Sequence, residues 1–166
     1  MVSRRWVVNA SPLILLGKVE LIALLGALAD EIAVPRTVAR EINGGSDGDQ
    51  TLRAIGETPA FVLVDDEVPP AEVLSWDLGP GETQVIAYAL KHPCDRVVID
   101  DLEARRCAKA MGVGIIGTLG IIGRAKVMGR IAQAEPVIRR LLEVGLYASD
   151  ELVERLLREV GERTPP

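Results

Sequence analysis

Arg96-Val97-Val98-Ile99-Asp100-Asp101 is a short β-branched run that ends on two acids. Near the start of the chain, Trp6-Val7-Val8-Asn9-Ala10-Ser11-Pro12 is a second apolar run that ends on polar residues. Each has the form of a buried parallel strand: apolar on both faces, then a turn into a helix. Ile32-Ala33-Val34, Phe61-Val62-Leu63-Val64 and Gly114-Ile115-Ile116 repeat the form. Between these runs the apolar spacing predicts helices over Pro12 to Leu28, Pro35 to Ile42, Gly81 to Leu90 and Asp100 to Met111. Strand alternating with helix implies an α/β fold on a parallel sheet.

After Gly117 no further strand is expected. Leu119 to Gly129, Pro136 to Gly145 and Ser149 to Val160 read as helices, the last with Ser149 as N-cap and a stripe of Leu152, Leu156 and Val160. The stripe suits either a helical tail packed on the sheet or a dimer surface. Asn43 to Asp49 is a polar, Gly-rich loop, and Glu67 to Pro70 and Asp77 to Pro80 are turns. None is long enough to be a linker, so residues 1–166 are expected to form one domain, with a helical C-terminal extension over about 133–160.

Composition narrows the function. The 166 residues are 48% hydrophobic and 26% charged, the balance of a folded globular chain. A net charge of −5 argues against a sequence-independent nucleic-acid coat, but not against acids gathered around a metal with a local basic rim. Aromatics are only 3%, too few for a base-stacking platform. Cys94 and Cys107 have no metal-type spacing and suggest no disulfide framework. No apolar run reaches membrane-spanning length and no signal peptide is evident, so a cytoplasmic location and no membrane partner are expected.

Polar residues at strand ends are the candidate site, because open α/β sheets bind ligands beyond the carboxyl ends of their strands. Asn9 and Ser11 follow the first strand, and Asp100 and Asp101 follow the fourth. Glu41 sits at the margin of the apolar pair Val38 and Ile42, and Glu82 shares a helical face with Ile86 and Ala89. Carboxylates on apolar faces need partners, and an oxygen-only set suits Mg²⁺ or Mn²⁺. Gly117-Thr118-Leu119-Gly120 opens a helix and could hold a phosphate. Arg105, Arg106, Lys109, Arg124, Lys126 and Arg130 around it form a candidate phosphate rim. His92, the single histidine, follows a helix end and is a poor catalytic candidate.

Local roles remain open for all of these. Asp100 with Glu103 reads as a capping box, and Glu82 as dipole compensation in a first turn. Glu41 reads as a surface residue, and Asn9 to Pro12 as a turn with Ser11 as N-cap and Pro12 at N1. The Gly117 turn and the basic block also suit an ordinary turn and a solvated face.

The ordered series resembles the PIN-domain superfamily: Val7-Val8-Asn9-Ala10-Ser11-Pro12-Leu13-Ile14, Val34-Pro35 through Val38 to Glu41, Gly81-Glu82 into Val85-Ile86-Ala87, Ile99-Asp100-Asp101 with Ala104-Arg105, and Gly117-Thr118-Leu119-Gly120. It is most similar to the PIN-like branch that begins Asn-x-Ser-Pro-Leu. The resemblance spans about residues 5 to 160. It implies a five-stranded parallel sheet of order 3-2-1-4-5 flanked by helices. It also implies a Mg²⁺- or Mn²⁺-dependent ribonuclease, often the VapC-type toxin of a toxin–antitoxin pair, with a small antitoxin and a homodimer as partners. On this resemblance the metal ligands fall on Asn9, Glu41, Glu82, Asp100 and Asp101, and the catalytic acids on Glu41, Glu82 and Asp101. Ser11, Arg105, Thr118 and Lys126 fall at phosphate-binding positions. Asn9 stands where most PIN domains carry an acid, which removes one negative charge. That departure keeps two other readings open: a catalytically degenerate nucleic-acid or protein-binding module, and an unrelated α/β protein that holds a phosphorylated ligand at Gly117 to Gly120.

Overall fold

A computed structural model describes residues 3–164. Five strands, β1 (Arg5–Val8), β2 (Glu31–Pro35), β3 (Phe61–Val64), β4 (Arg96–Val98) and β5 (Ile115–Ile116), run parallel in the order β3-β2-β1-β4-β5. The expected sheet order is the observed one. Val8 pairs with Val98, and the Asn9 N–H donates to the Val98 carbonyl at 3.0 Å. The two polar strand ends therefore emerge side by side, because β1 and β4 are neighbours. Trp6, Val7 and Val8 are buried, as the central strand of a sheet covered on both faces requires.

Ten helices flank the sheet: α1 (Ala10–Lys18), α2 (Ile22–Leu28), α3 (Arg36–Asn43), α4 (Gly48–Glu57), α5 (Ala71–Leu74), α6 (Pro80–Lys91), α7 (Leu102–Ala110), α8 (Thr118–Val127), α9 (Ala134–Glu143) and α10 (Asp150–Glu159), counted among the described residues. The single helix expected over Pro12 to Leu28 is two helices bent by 117°. Glu20 turns the chain with a φ of 59°, and Leu21 N–H closes on Leu16 O at 2.8 Å. The bend returns Ile22, Leu25 and Leu28 to the core. Among the described residues no single helix is long and apolar enough to cross a membrane.

α4 starts within the loop expected at Asn43 to Asp49 and continues well beyond it. Its fully buried residues are Gly48 and Thr51, and its few apolar residues, Leu52, Ala54 and Ile55, are only half-buried against the core. It closes on α1 at Gly17, where a Cβ would stand 2.7 Å from Thr51 Oγ1.

The C-terminal helices pack on the domain. Ser149 caps α10, accepting the Leu152 N–H at 3.2 Å. Leu156 and Val160 lean on Gly123 of α8, where a Cβ would meet Leu156 Cδ1 at 2.7 Å. The stripe thus packs on α8 rather than on the sheet. Its deepest contact is Leu157, beside the expected stripe, while Leu152 stays 37% exposed.

A polar clasp closes this end. The Glu162 carboxylate accepts the Ala134 and Glu135 N–H groups at the start of α9. Arg163 bonds both oxygens of Glu135, at 2.8 and 2.7 Å. Hydrogen bonds from Arg163 and Arg139 pull the Glu135 carboxyl from its ordinary 4.5 down to about 2. A depressed carboxyl stabilises the fold above its unfolded pKa, and that contribution is lost as pH falls through the folded value. Between 4.5 and about 2 the clasp is therefore expected to open. Hydrogen exchange at about pH 3 should show α10 amides losing protection before those of β1 and β4; equal loss in both would contradict it.

Candidate functional site

Asn9 is the N-cap of α1, with extended backbone at φ −82° and ψ 165°. Asparagine at an N-cap ordinarily turns its side-chain oxygen onto the N2 or N3 N–H. Here it makes no capping bond. Its amide nitrogen donates to Glu82 Oε1 at 3.1 Å, and its Oδ1 is buried without a hydrogen-bond partner. Asn9 itself is only 2% exposed. The helix begins earlier than expected, so Ser11 is an exposed first-turn residue rather than the cap. Pro12 falls at the third helical position, where its missing N–H still costs no helical bond.

Glu41 arrives from α3, which is anchored by buried Val38 and Ile42. Its Oε1 accepts the Gly81 N–H at 2.9 Å, at the N-terminus of α6. Gly81 is the common point of contact. A Cβ there would stand 2.9 Å from Asn9 Oδ1 and would overlap Glu41 Oε2. Glycine is thus what lets a carboxamide and a carboxylate converge over this helix end. Desolvation raises the Glu41 carboxyl above its ordinary value; the Gly81 N–H opposes the rise and the charge of Glu82 reinforces it. Among the described residues no group of three or more His, Cys, Asp or Glu side chains is placed to hold a metal. The cluster is two glutamates and one carboxamide.

The strand-four acids separate. Asp100 Oδ1 accepts the Thr118 N–H at 2.7 Å, and Oδ2 accepts the Thr118 hydroxyl at 2.6 Å. Thr118 is fully buried, so Asp100 secures the start of α8. Asp101 is exposed and caps α7, accepting the Ala104 N–H at 2.8 Å. The capping box drawn on Asp100 and Glu103 is therefore not formed: the cap is Asp101, and Glu103 pairs with Arg106. Arg105 Nη1 donates to the Ile99 carbonyl at 3.2 Å and would lie 2.6 Å from a Cβ at Gly117. Arg105 and Thr118 are thus brought together beside Asp100. Lys126 is not with them. It lies about 12 Å further along α8 and is held by Ala132 O at 2.5 Å and by Glu162 at 3.6 Å. His92 is engaged elsewhere, 2.7 Å from Glu67 and stacked on Tyr88.

Two contributors were not evident in the sequence. Gly81 is one. Asp66 is the other: its carboxylate accepts the Thr37 N–H at 3.0 Å and the Thr37 hydroxyl at 2.7 Å, which holds the first turn of α3 and so the helix that carries Glu41. Asp65-Asp66 directly follows β3, the same strand-end acid pair as Asp100-Asp101, and that pattern was the available signal.

No curated protein matches the sequence. Among solved structures, the chain is similar to a PilT N-terminus domain protein from the hyperthermophilic archaeon Sulfolobus solfataricus P2. The identity is 16%, over 70% of this chain and 89% of that one, with a TM-score of 0.47. The family model described as DUF3368, a PIN domain, matches residues 5–162. That match takes in all five strands and every side chain of the strand-end site, and the chain accordingly belongs to the PIN-domain family.

Proposed function

We propose that the chain is a divalent-cation-dependent endoribonuclease whose centre is Asn9, Glu41 and Glu82, completed by Asp101 with Asp100 beside it. PIN domains are generally nucleases, typically dependent on divalent metal, and commonly bind RNA. The observation that carries the reading is Asn9 Oδ1, a buried oxygen with no hydrogen-bond partner, beside the Glu41 carboxylate. A buried acceptor left unpaired is costly, and a cation would satisfy it. The donors are all oxygen, which fits Mg²⁺ or Mn²⁺. When bound, the cation supplies polarisation of the scissile phosphate and of the attacking water. The chain's own residues aim the donors. Asn9 Nδ2 orients Glu82, the Gly81 N–H orients Glu41, and Arg105 offers a cation to a flanking phosphate. Within this proposal the chain is a cytoplasmic toxin restrained by a small antitoxin and acting as a homodimer. The neutral carboxamide at Asn9 favours a second reading, a PIN scaffold that binds nucleic acid or protein without cleaving it.

Calorimetric titration of Mn²⁺ into the metal-stripped protein separates the two when paired with an RNA cleavage assay. Wild type should bind and cleave. Glu82→Gln and Gly81→Ala should each weaken Mn²⁺ binding roughly 10–100-fold, the first by removing a charge and the second by displacing the Glu41 carboxylate. Equal binding by all three proteins would refute the metal centre. RNA binding without cleavage at saturating Mn²⁺ would establish the second reading.

A further inference from the structure

A groove of about 690 Å³ starts at Asp100 and runs between the end of β5 and α10. Asp100, Arg105 and Gly117 line its near end, and Tyr147, Leu152 and Arg155 line its far wall. Tyr147 is completely exposed, whereas the other four aromatic residues, Trp6, Phe61, Trp76 and Tyr88, are buried or half-buried. Its exposure does not come from a slack loop. Leu146, its neighbour, is 7% exposed, and the Leu146 N–H is fixed on Leu141 O at 2.8 Å. The ring is therefore presented at the surface by an anchored turn, with no contact in the core to explain it.

Two arginines of this groove are not committed to carboxylates. Arg155 is exposed and enters none of the ion pairs among the described residues, and Arg105 donates only to a backbone carbonyl. An apolar wall with an exposed ring, flanked by two guanidinium groups that enter no ion pair among the described residues, matches the two parts of a nucleotide: the flat apolar base and the anionic phosphate.

We infer that this groove is a nucleotide subsite. It takes the residue next to the scissile phosphate of single-stranded RNA, with the base on Tyr147 and Leu152 and the phosphate between Arg105 and Arg155. The inference rests on the reading that the chain acts on RNA. Asp100 and Gly117, at the ends of β4 and β5, line the groove and set it on the same edge of the sheet as the proposed centre. Glu159 lines the groove one turn beyond Arg155 and repels a further phosphate, so the subsite holds one nucleotide rather than a long track. A single ring also agrees with an aromatic content too low for a stacking platform.

The test is fluorescence anisotropy of a labelled single-stranded RNA oligonucleotide with the full chain in EDTA, so that binding is read apart from cleavage. Tyr147→Ala should weaken binding roughly 5–20-fold, at the lower end of a lost base–ring stack, and Tyr147→Phe should restore it. Arg155→Gln should reduce the slope of log affinity against log salt by about 0.7, one single-strand phosphate contact. With Mn²⁺, Tyr147→Ala and Arg155→Gln should raise KM, and Tyr147→Phe should return it to the wild-type value. If wild type cleaves RNA but these substitutions change neither affinity nor KM, the subsite is overturned and the nuclease reading stands. If wild type shows Tyr147-dependent RNA binding but no cleavage, the subsite is supported and the nuclease reading fails. A wild type that binds no RNA overturns the subsite, as does a dimer in sedimentation that Tyr147→Ala dissociates, which would give the groove to a second copy.

Discussion

Asn9→Asp is expected to destabilise the metal-free protein and to tie its stability to Mn²⁺. The side chain is 2% exposed, and its amide nitrogen is a donor to Glu82 Oε1 at 3.1 Å. Aspartate replaces that donor with an acceptor and sets two carboxylates face to face in a buried position. An uncompensated buried charge costs about 3–5 kcal/mol, which for a domain of this size is a fall of roughly 6–20 °C in Tm. Saturating Mn²⁺ should return most of that loss, because a cation satisfies both oxygens at once. Calorimetric titration should also show tighter Mn²⁺ binding than wild type, since the variant adds a negative charge to the donor set. Thermal scans with and without Mn²⁺ decide the matter. A variant with wild-type Tm in EDTA, or one that Mn²⁺ does not rescue, would show that Asn9 does not face a cation site.

The second large effect separates two adjacent acids. Asp100→Ala removes both partners of Thr118, leaving a buried hydroxyl and the first N–H of α8 unpaired. Each such loss costs about 1–3 kcal/mol, so urea unfolding should show a loss of roughly 2–6 kcal/mol. Asp101→Ala removes one exposed N-cap bond to Ala104, worth about 1 kcal/mol. Equal losses in the two variants would refute this division of labour. The difference also sets how metal-binding data are read. Asp101→Asn leaves α8 in place, so a drop in Mn²⁺ affinity there reports a lost ligand. A drop in an Asp100 variant reports first a displaced Thr118 and Arg105.

Much of the fold was legible because it is local. The central strands are short β-branched runs, and burial on both faces leaves that mark whatever the neighbours are; β3, at the sheet edge, has the same run with Val62 and Leu63 exposed. The resemblance supplied the strand order, which no run carries by itself. α4 was not legible because its fully buried positions are Gly48 and Thr51, and its few apolar residues, Leu52, Ala54 and Ile55, are only half-buried. The turn at Glu20 was missed because apolar residues continue on both sides of it, and only the core behind Ile22 and Leu25 makes the bend favourable.

The candidate site divides the same way. Sequence alone determined which residue types stand at the strand ends: Asn9 after the first, Asp100 and Asp101 after the fourth, Glu41 and Glu82 at the edges of apolar helix faces. It could not determine where each side chain turns, since that depends on groups that arrive from far along the chain. Glu82, 73 residues away, draws the Asn9 amide off its own helix. Thr118, 18 residues on, claims Asp100 and leaves the cap of α7 to Asp101. Gly81 counts for the side chain it lacks, a property with no meaning until Glu41 and Asn9 meet above it. Residue type and local spacing are properties of the chain; the pairing of polar groups in a dry interior is decided by packing, because each buried donor or acceptor takes whichever partner the tertiary structure brings within reach.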